Sequence, residues 1–234
     1  MQNLHTKTAI IQSNYIPWIG YFDIISQVDN FVFYDTVQFT KRSWRNRNYI
    51  KTPNGKLLLT IPINLKGSKS RNIEDILLND ETWGYDHFKK ITYNYKKSKY
   101  YKEVSELLYE TYFDKSLTKL SQVNISLIKN IINYLELETK LFKSSDFELG
   151  GDKVSDLALI CNDLNSTDYL SGPFGRTYVD EDIFNKKNVE LHFFDYPTYP
   201  QYTQQWDDRF IPNLSIIDIL FNCGLDTRKM FSEK

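Results

Sequence analysis

The sequence predicts an α/β fold: an N-terminal βαβ unit with a mainly parallel sheet, a helical middle insertion, and a C-terminal α/β portion that completes the core. Three observations predict it. Short apolar runs alternate with helical spacing in the first 65 residues, the middle of the chain is helical, and strand-like runs return after Gly150-Gly151.

Thr8–Gln12 reads as a strand, followed by a polar turn at Ser13-Asn14 and by Pro17 where a helix is expected to start. From Trp18 to Val28, apolar residues at 18, 19, 22, 25 and 28 give a helix with one buried face. Phe31–Tyr34 is a continuous apolar run after Asp29-Asn30, hence a buried strand parallel to the first. Pro53-Asn54-Gly55 is a turn leading into a strand over Lys56–Ile63. Asp86–Tyr95, Glu103–Tyr112 and Leu120–Leu137 are helical; in the last, Leu120, Leu127, Ile128, Ile131, Ile132 and Leu135 form one apolar stripe. Lys153–Leu164 is a helix with apolar positions 154, 157, 160, 161 and 164, and Thr167–Leu170 and Val189–Phe194 are strands. Ser215 with Asp218 three residues on resembles a capping box, and Gly224 sits at the C′ position, which brackets Ser215–Cys223 as a helix. The simplest organisation is one domain over 1–234, divisible into α/β (1–80), helical (81–149) and α/β (150–234) portions.

Composition excludes several function classes. With 234 residues, 29 Lys+Arg and 30 Asp+Glu, the net charge is −1, so no global field draws the chain to DNA or to a membrane. Apolar runs such as Leu57–Ile61 and Ile216–Phe221 are far short of the roughly 20 residues of a membrane span. No signal peptide is visible, which predicts a cytoplasmic protein. Cys161 and Cys223 are expected to be reduced and buried. His5, His87 and His192 are dispersed and no CxxC or HxxxH spacing occurs, so no metal site is expected. The 17 Tyr and 15 Phe suit grooves for sugars or bases, and equally the drifted composition of an AT-rich genome.

Four segments carry residues suited to chemistry. Gln12, Asn14, Tyr15 and Trp18 follow the first strand, where open α/β sheets bind ligands; a purely structural turn is the alternative. The second segment follows Asp35 and contains Gln38, Lys41, Trp44, Arg45, Asn46, Arg47 and Asn48; five basic residues and no acid lie between 41 and 51. Arginine forks take phosphate or carboxylate, asparagine amides meet hydroxyls, and aromatic faces stack on rings. That pattern predicts an anionic small-molecule site, with a solvated loop or a nucleic-acid contact as alternatives. Asp35 and His87 are the candidate general bases, although a lone histidine at a helix start is often structural. Gly172, Gly175 and Tyr178 lie in a glycine-bearing loop that permits close backbone approach to a ligand, or simply turns the chain. No P-loop and no GxSxG nucleophile motif is present.

The chain resembles the WbqC-like family of bacterial surface-polysaccharide and O-antigen biosynthesis. The match rests on Gln12 with Tyr15–Asp23 (YIPWIGYFD), Tyr34–Phe39, Lys41-Arg42, Trp44–Ile50 (WRNRNYI) and Pro53–Gly55. It continues through His87 and Ile91, Tyr95 to Lys97, Tyr178 with Phe184, Tyr202 with Gln204, and Phe210–Gly224 (FIPNLSIIDILFNCG). The chain departs at Ser13, where the family usually has proline, and at Thr36, where a second aspartate is usual. The resemblance implies a transferase that adds a glycyl or other acyl group to the amine of a nucleotide-linked amino sugar, with Gln204 among its binding residues. In that scheme Lys41, Arg45 and Arg47 hold the diphosphate, Trp44 or Tyr15 stacks on a ring, and His87 or Asp35 takes the amine proton. No tightly bound cofactor is expected; the donor is left open among acyl-CoA, acyl-carrier protein, an aminoacyl-adenylate and aminoacyl-tRNA. Two alternatives stand beside it: an ATP-dependent nucleotidyl- or amino-acid-activating enzyme, and a non-catalytic sugar-nucleotide or glycan-binding accessory protein.

Overall fold

A computed structural model describes residues 5–64, 71–207 and 209–233. Five strands form the central sheet: β1 (Lys7–Ile11), β2 (Asn30–Phe33), β5 (Lys140–Lys143), β6 (Asp168–Ser171) and β7 (Glu190–Phe193). Their order is β5-β2-β1-β6-β7 and every pairing is parallel. The chain thus builds outward from β1 to one edge, then returns to build outward to the other, so the order reverses between β1 and β6. The helix α1 (Ile19–Ser26) makes the crossover from β1 to β2 expected from the sequence.

Parallel strands need cover on both faces, and β2 shows how the sequence supplies it. Phe31 and Phe33 enter one core cluster, while Val32 and Tyr34 enter the other. The larger cluster joins α1 to α2 (Trp83–Tyr95), α3 (Tyr101–Phe113), α4 (Leu120–Tyr134) and α7 (Ile216–Cys223). The smaller one lies under α5 (Lys153–Asp163) and α6 (Glu181–Asn185). Asp152 caps α5, accepting from the amides of Val154 and Ser155. Ser215 caps α7, and Gly224 closes it with φ 56°, a conformation that favours glycine.

Three elements depart from the sequence reading. Residues 47–52 are not loop but strand β3 (Arg47–Thr52), paired antiparallel with β4 (Gly55–Thr60) in a separate two-stranded sheet. Asn48 and Ile50 face inward there while Arg47 and Tyr49 are half-exposed, an alternation hidden by the density of basic residues. The strand β5 and the helix α6, four and five residues long, are too short and too charged to show a period. Cys161 is buried and free as expected; Cys223, also free, is only half-buried. Among the described residues no helix is long and apolar enough to cross a membrane.

Between β7 and α7, residues 194–214 contain no helix or strand among those described, and buried charges hold this strap down. Lys51, its side chain 1% exposed, donates from Nζ to the carbonyls of Asp207 and Arg209 at 3.0 and 2.8 Å. Asp218, expected to cap α7, is instead a fully buried acceptor. Tyr95 donates to its Oδ1 at 2.6 Å, and Tyr202 and Gln204 donate to its Oδ2 at 2.6 and 2.9 Å. Burial pushes the Asp218 carboxyl up, and these three donors oppose that push. On the other side of α1, Tyr199 donates to buried Asp23 at 2.7 Å, and so does the amide of Ser232 at 2.8 Å.

The Tyr95 hydroxyl serves two elements, donating to Asp218 and accepting from the Lys51 amide at 2.9 Å. Tyr95→Phe therefore strands a buried N–H and removes one donor from a buried carboxylate, a loss of about 1–3 kcal/mol. Thermal unfolding should show a midpoint lowered by about 2–4 °C for each kcal/mol; an unchanged midpoint would remove Tyr95 from the hub.

Candidate functional site

Strand-end crevices bind ligands in open parallel sheets where the strand order reverses, and here that place lies between β1 and β6. The residues immediately after β1 meet Arg45 at that end of the sheet. The Arg45 guanidinium donates to the side-chain oxygens of Asn14, in a short contact, and of Gln12, at 2.9 Å. Both partners are neutral amides, and among the described residues no carboxylate forms an ion pair with Arg45. It is oriented by neutral partners, with the Asp35 carboxylate acting on it from a distance. Burial holds the guanidinium below its ordinary pKa, with Tyr21 and Asp35 pulling the other way. An anion arriving at Arg45 would relieve that burial penalty.

Asp35 anchors this arrangement. It is 3% exposed and accepts from the Ser13 amide at 2.8 Å, from Ser13 Oγ at 2.7 Å, and from Ser121 Oγ in a short contact. Where the family usually has proline, Ser13 thus supplies two bonds, from an amide and a hydroxyl, that proline lacks. Thr36, where the family usually has aspartate, bonds Ser144 Oγ from both its amide and its hydroxyl. Asn124, one turn along α4 from Ser121, donates to the Arg45 carbonyl at 2.8 Å and to Ser13 Oγ at 3.3 Å. Three buried polar atoms at or next to this network, Asn124 Oδ1, Asn46 Oδ1 and Arg47 Nε, have no hydrogen-bond partner among the described residues. Such atoms are rare in folded proteins and mark unused binding capacity.

The turn from β1 into α1 is held in a conformation its residues would not choose. Ile16 has φ 36°, an outlier for a β-branched side chain. Asn48 Nδ2 and Ser215 Oγ both donate to the Ile16 carbonyl, at 2.8 and 2.7 Å, and the Tyr15 amide donates to the Trp44 carbonyl at 3.0 Å. The surroundings over-determine this turn, as at sites where a fixed geometry matters.

The structure divides the residues singled out from the sequence. It joins Gln12, Asn14 and Arg45 directly and ties Asp35 to them through Ser13. Gly172 is adjacent: a Cβ there would lie 3.8 Å from the Tyr196 hydroxyl, and Tyr196 packs edge-on to Trp18 at 4.9 Å. Gly175 is required by packing, since a Cβ would lie 2.1 Å from Ser171 Oγ. Trp44, Gln38 and Lys41 are exposed, and Tyr178 lies under the Lys153 ammonium at 3.8 Å. Others turn inward. Asn46 and Asn48 spend their amide N–H groups on the Ile61, Tyr15 and Ile16 carbonyls. Gln204 is locked between Ile211 and Asp218. Tyr15 is fully buried, so its ring is not free to stack on a ligand; its hydroxyl lies 2.7 Å from both His87 Nδ1 and the Tyr112 hydroxyl.

His87 and Asp35 were the candidate bases, and both are spoken for internally. His87 is 4% exposed; Tyr15 takes Nδ1, and the ring also bonds the Thr60 backbone. With no spare lone pair facing an open cleft, they position the turn and the Tyr15 side chain. Sequence reasoning missed Ser13, Tyr21, Ser121, Asn124 and Tyr196. Ser121 and Asn124 carried a usable signal: two small polar residues three apart inside the apolar stripe of α4. Two clefts lie on the molecule near these elements, and only the second is lined by a network residue, Ser121. One of about 370 Å³ is walled by Trp18, Tyr199, Tyr202 and Phe210, and one of about 420 Å³ by Ser121, Glu74, Lys129 and Lys143.

Comparison with known proteins gives the same extent of similarity as the sequence motifs. The pattern of the WbqC-like protein family matches residues 12–230. The uncharacterized protein Rv1507c of Mycobacterium tuberculosis is 41% identical over 220 residues, covering 94% of this chain and 95% of that protein. No solved structure matches.

The placement of His87 makes stability depend on acidity. Burial, with Lys90 adding to it, lowers its pKa from 6.5 to about 4, against the bond to Thr60. The unfolded chain takes up this proton near 6.5 and the folded chain only near 4, so protons favour the unfolded state between those values. Stability present above 6.5 is lost as the pH falls towards 4, in total about 3 kcal/mol. Unfolding midpoints of the wild type at about pH 7.5 and about pH 5 should differ more than those of His87→Gln. Equal differences would show that His87 is not held neutral.

Proposed function

The chain belongs to the WbqC-like protein family, and on that premise we propose that it is a transferase of bacterial surface-glycan biosynthesis. It binds a nucleotide-linked amino sugar at the crevice between β1 and β6 and adds an acyl or aminoacyl group to the sugar amine. The observation that carries this reading is the Arg45 guanidinium, without a direct ion-pair partner among the described residues and held by the neutral oxygens of Gln12 and Asn14 at the carboxyl end of β1.

On this reading the Arg45 fork takes the diphosphate, as arginine does wherever planar, bidentate recognition of phosphate matters. Lys41, exposed on the same segment, adds charge, and Trp44, 53% exposed, offers a face for a base. The aromatic cleft beside Trp18 suits the sugar ring. In the transfer, the amine nitrogen attacks the donor's acyl carbon. A C–N bond forms, the acyl C–S or C–O bond breaks, and the amine's proton passes to the leaving group. Asp35 acts by holding Ser13, and His87 by holding Tyr15. The doubly wound strand order also favours a second reading, in which the nucleotide is ATP and the enzyme activates an amino acid.

A panel of UDP- and dTDP-amino sugars, free UDP and dTDP, ATP with Mg²⁺, and CoA thioesters separates these readings by thermal unfolding. A ligand at about 100 times its Kd adds about 2.7 kcal/mol, and each kcal/mol raises the midpoint by about 2–4 °C. The expected result is a shift with an amino-sugar nucleotide that is lost in Arg45→Ala and weakened in Arg45→Lys, which keeps the charge but not the fork. A shift with ATP alone favours the second reading. An amino-sugar shift that survives Arg45→Ala removes the crevice from the proposal.

A further inference from the structure

We propose a site for a divalent transition-metal ion of the zinc class at the amino-terminal edge of the parallel sheet, built from Asp168, Glu190 and His192. Asp168 opens β6 and Glu190 opens β7, and the two are cross-strand partners. His192 lies two residues beyond Glu190, so it projects from the same face of β7. One donor atom from each of these three residues lies within 4.8 Å of the others. His192 Nε2 is 2.8 Å from Asp168 Oδ1 and 3.6 Å from Glu190 Oε1, while His5 Nδ1 is 3.3 Å from Asp168 Oδ2.

The donor set suits an ion. Ligands around a tetrahedral ion with bonds of about 2.0–2.1 Å stand roughly 3.3–3.4 Å apart; His192 and Glu190 are 3.6 Å apart, and the His192–Asp168 hydrogen bond, at 2.8 Å, would have to open to admit the ion. Mixed imidazole and carboxylate donors suit zinc and its first-row neighbours, whereas calcium and magnesium prefer all-oxygen sites. Asp168 is buried, and Thr167 Oγ1 donates to its Oδ2 at 2.6 Å, an outer contact of the kind that orients ligating carboxylates.

The location fixes the role. The proposed ligand crevice is at the carboxyl ends of the strands; this cluster is at their opposite ends. β7 is the edge of the sheet and has only β6 as a neighbour, and His5 precedes β1. An ion held by Asp168, Glu190 and His192 would tie the edge strand β7 to β6. It would add stability without taking part in transfer.

The test uses the full chain stripped with a chelator and titrated with Zn²⁺ by calorimetry, with Co²⁺ absorption reporting the coordination geometry. One equivalent should bind, the unfolding midpoint should rise, and His192→Gln and Asp168→Asn should each weaken Zn²⁺ binding at least about tenfold. His5→Gln should weaken it less. Should Asp168→Asn fail to fold, the double variant Glu190→Gln/His192→Gln decides, because both side chains are at least partly exposed. Failure of the wild type to bind one equivalent, or unchanged affinity in that double variant, overturns the proposal.

Discussion

A buried carboxylate must find donors for both oxygens, and Asp35 finds them in two distant parts of the chain. Ser13 comes from the turn after β1, and Ser121 from the first turn of α4 in the helical insertion. That one group therefore docks the insertion onto the end of the sheet and fixes the course of the turn. From the same turn, Asn14 and Gln12 reach Arg45, and from the same helix Asn124 reaches the Arg45 carbonyl. Removing partners from such a network leaves a charge without water or protein to solvate it, so its members are mutually dependent.

The same device recurs at Asp23 and Asp218, which use tyrosine hydroxyls to hold down the strap between β7 and α7. This gives the many tyrosines a physical purpose apart from ligand stacking. Tyr95, Tyr199 and Tyr202 each combine apolar area with one strong bond to a buried carboxylate, and Tyr15 does so with His87. The strap forms one wall of the cleft beside Trp18, so buried carboxylates on α1 and α7 shape a surface that neither helix reaches alone.

Much of the fold was legible because hydrophobic period survives without knowledge of neighbours. Phe31–Tyr34 read as a buried strand, and its alternate residues enter the two cores. The spacing from Trp18 to Val28 gave α1 and hence the parallel crossover. The hairpin strand β3 was hidden because Arg47 and Lys51 masked an alternation that only burial reveals, and Lys51 proved to be an interior cation. Around Arg45, the segment residues Gln12 and Asn14 could be singled out by type and position; Ser121 and Asn124 showed only as polar breaks in the apolar stripe of α4, and Tyr196 carried no signal.

By itself, then, the sequence determined the α/β class, the parallel βαβ start, the helical insertion and membership of the family, since each depends on local pattern or on motif. The tertiary structure alone decided which polar residues line the strand ends and which serve the interior. Asn48, Gln204 and His87 are chemically as suited to binding as Gln12 and Asn14, yet their hydrogen-bonding groups are consumed by backbone and side-chain partners brought in by folding. Asp168, Glu190 and His192 have no telling spacing and meet only because β6 pairs with β7. A polar side chain's role follows from whether the fold satisfies it, and satisfaction is a property of neighbours in space.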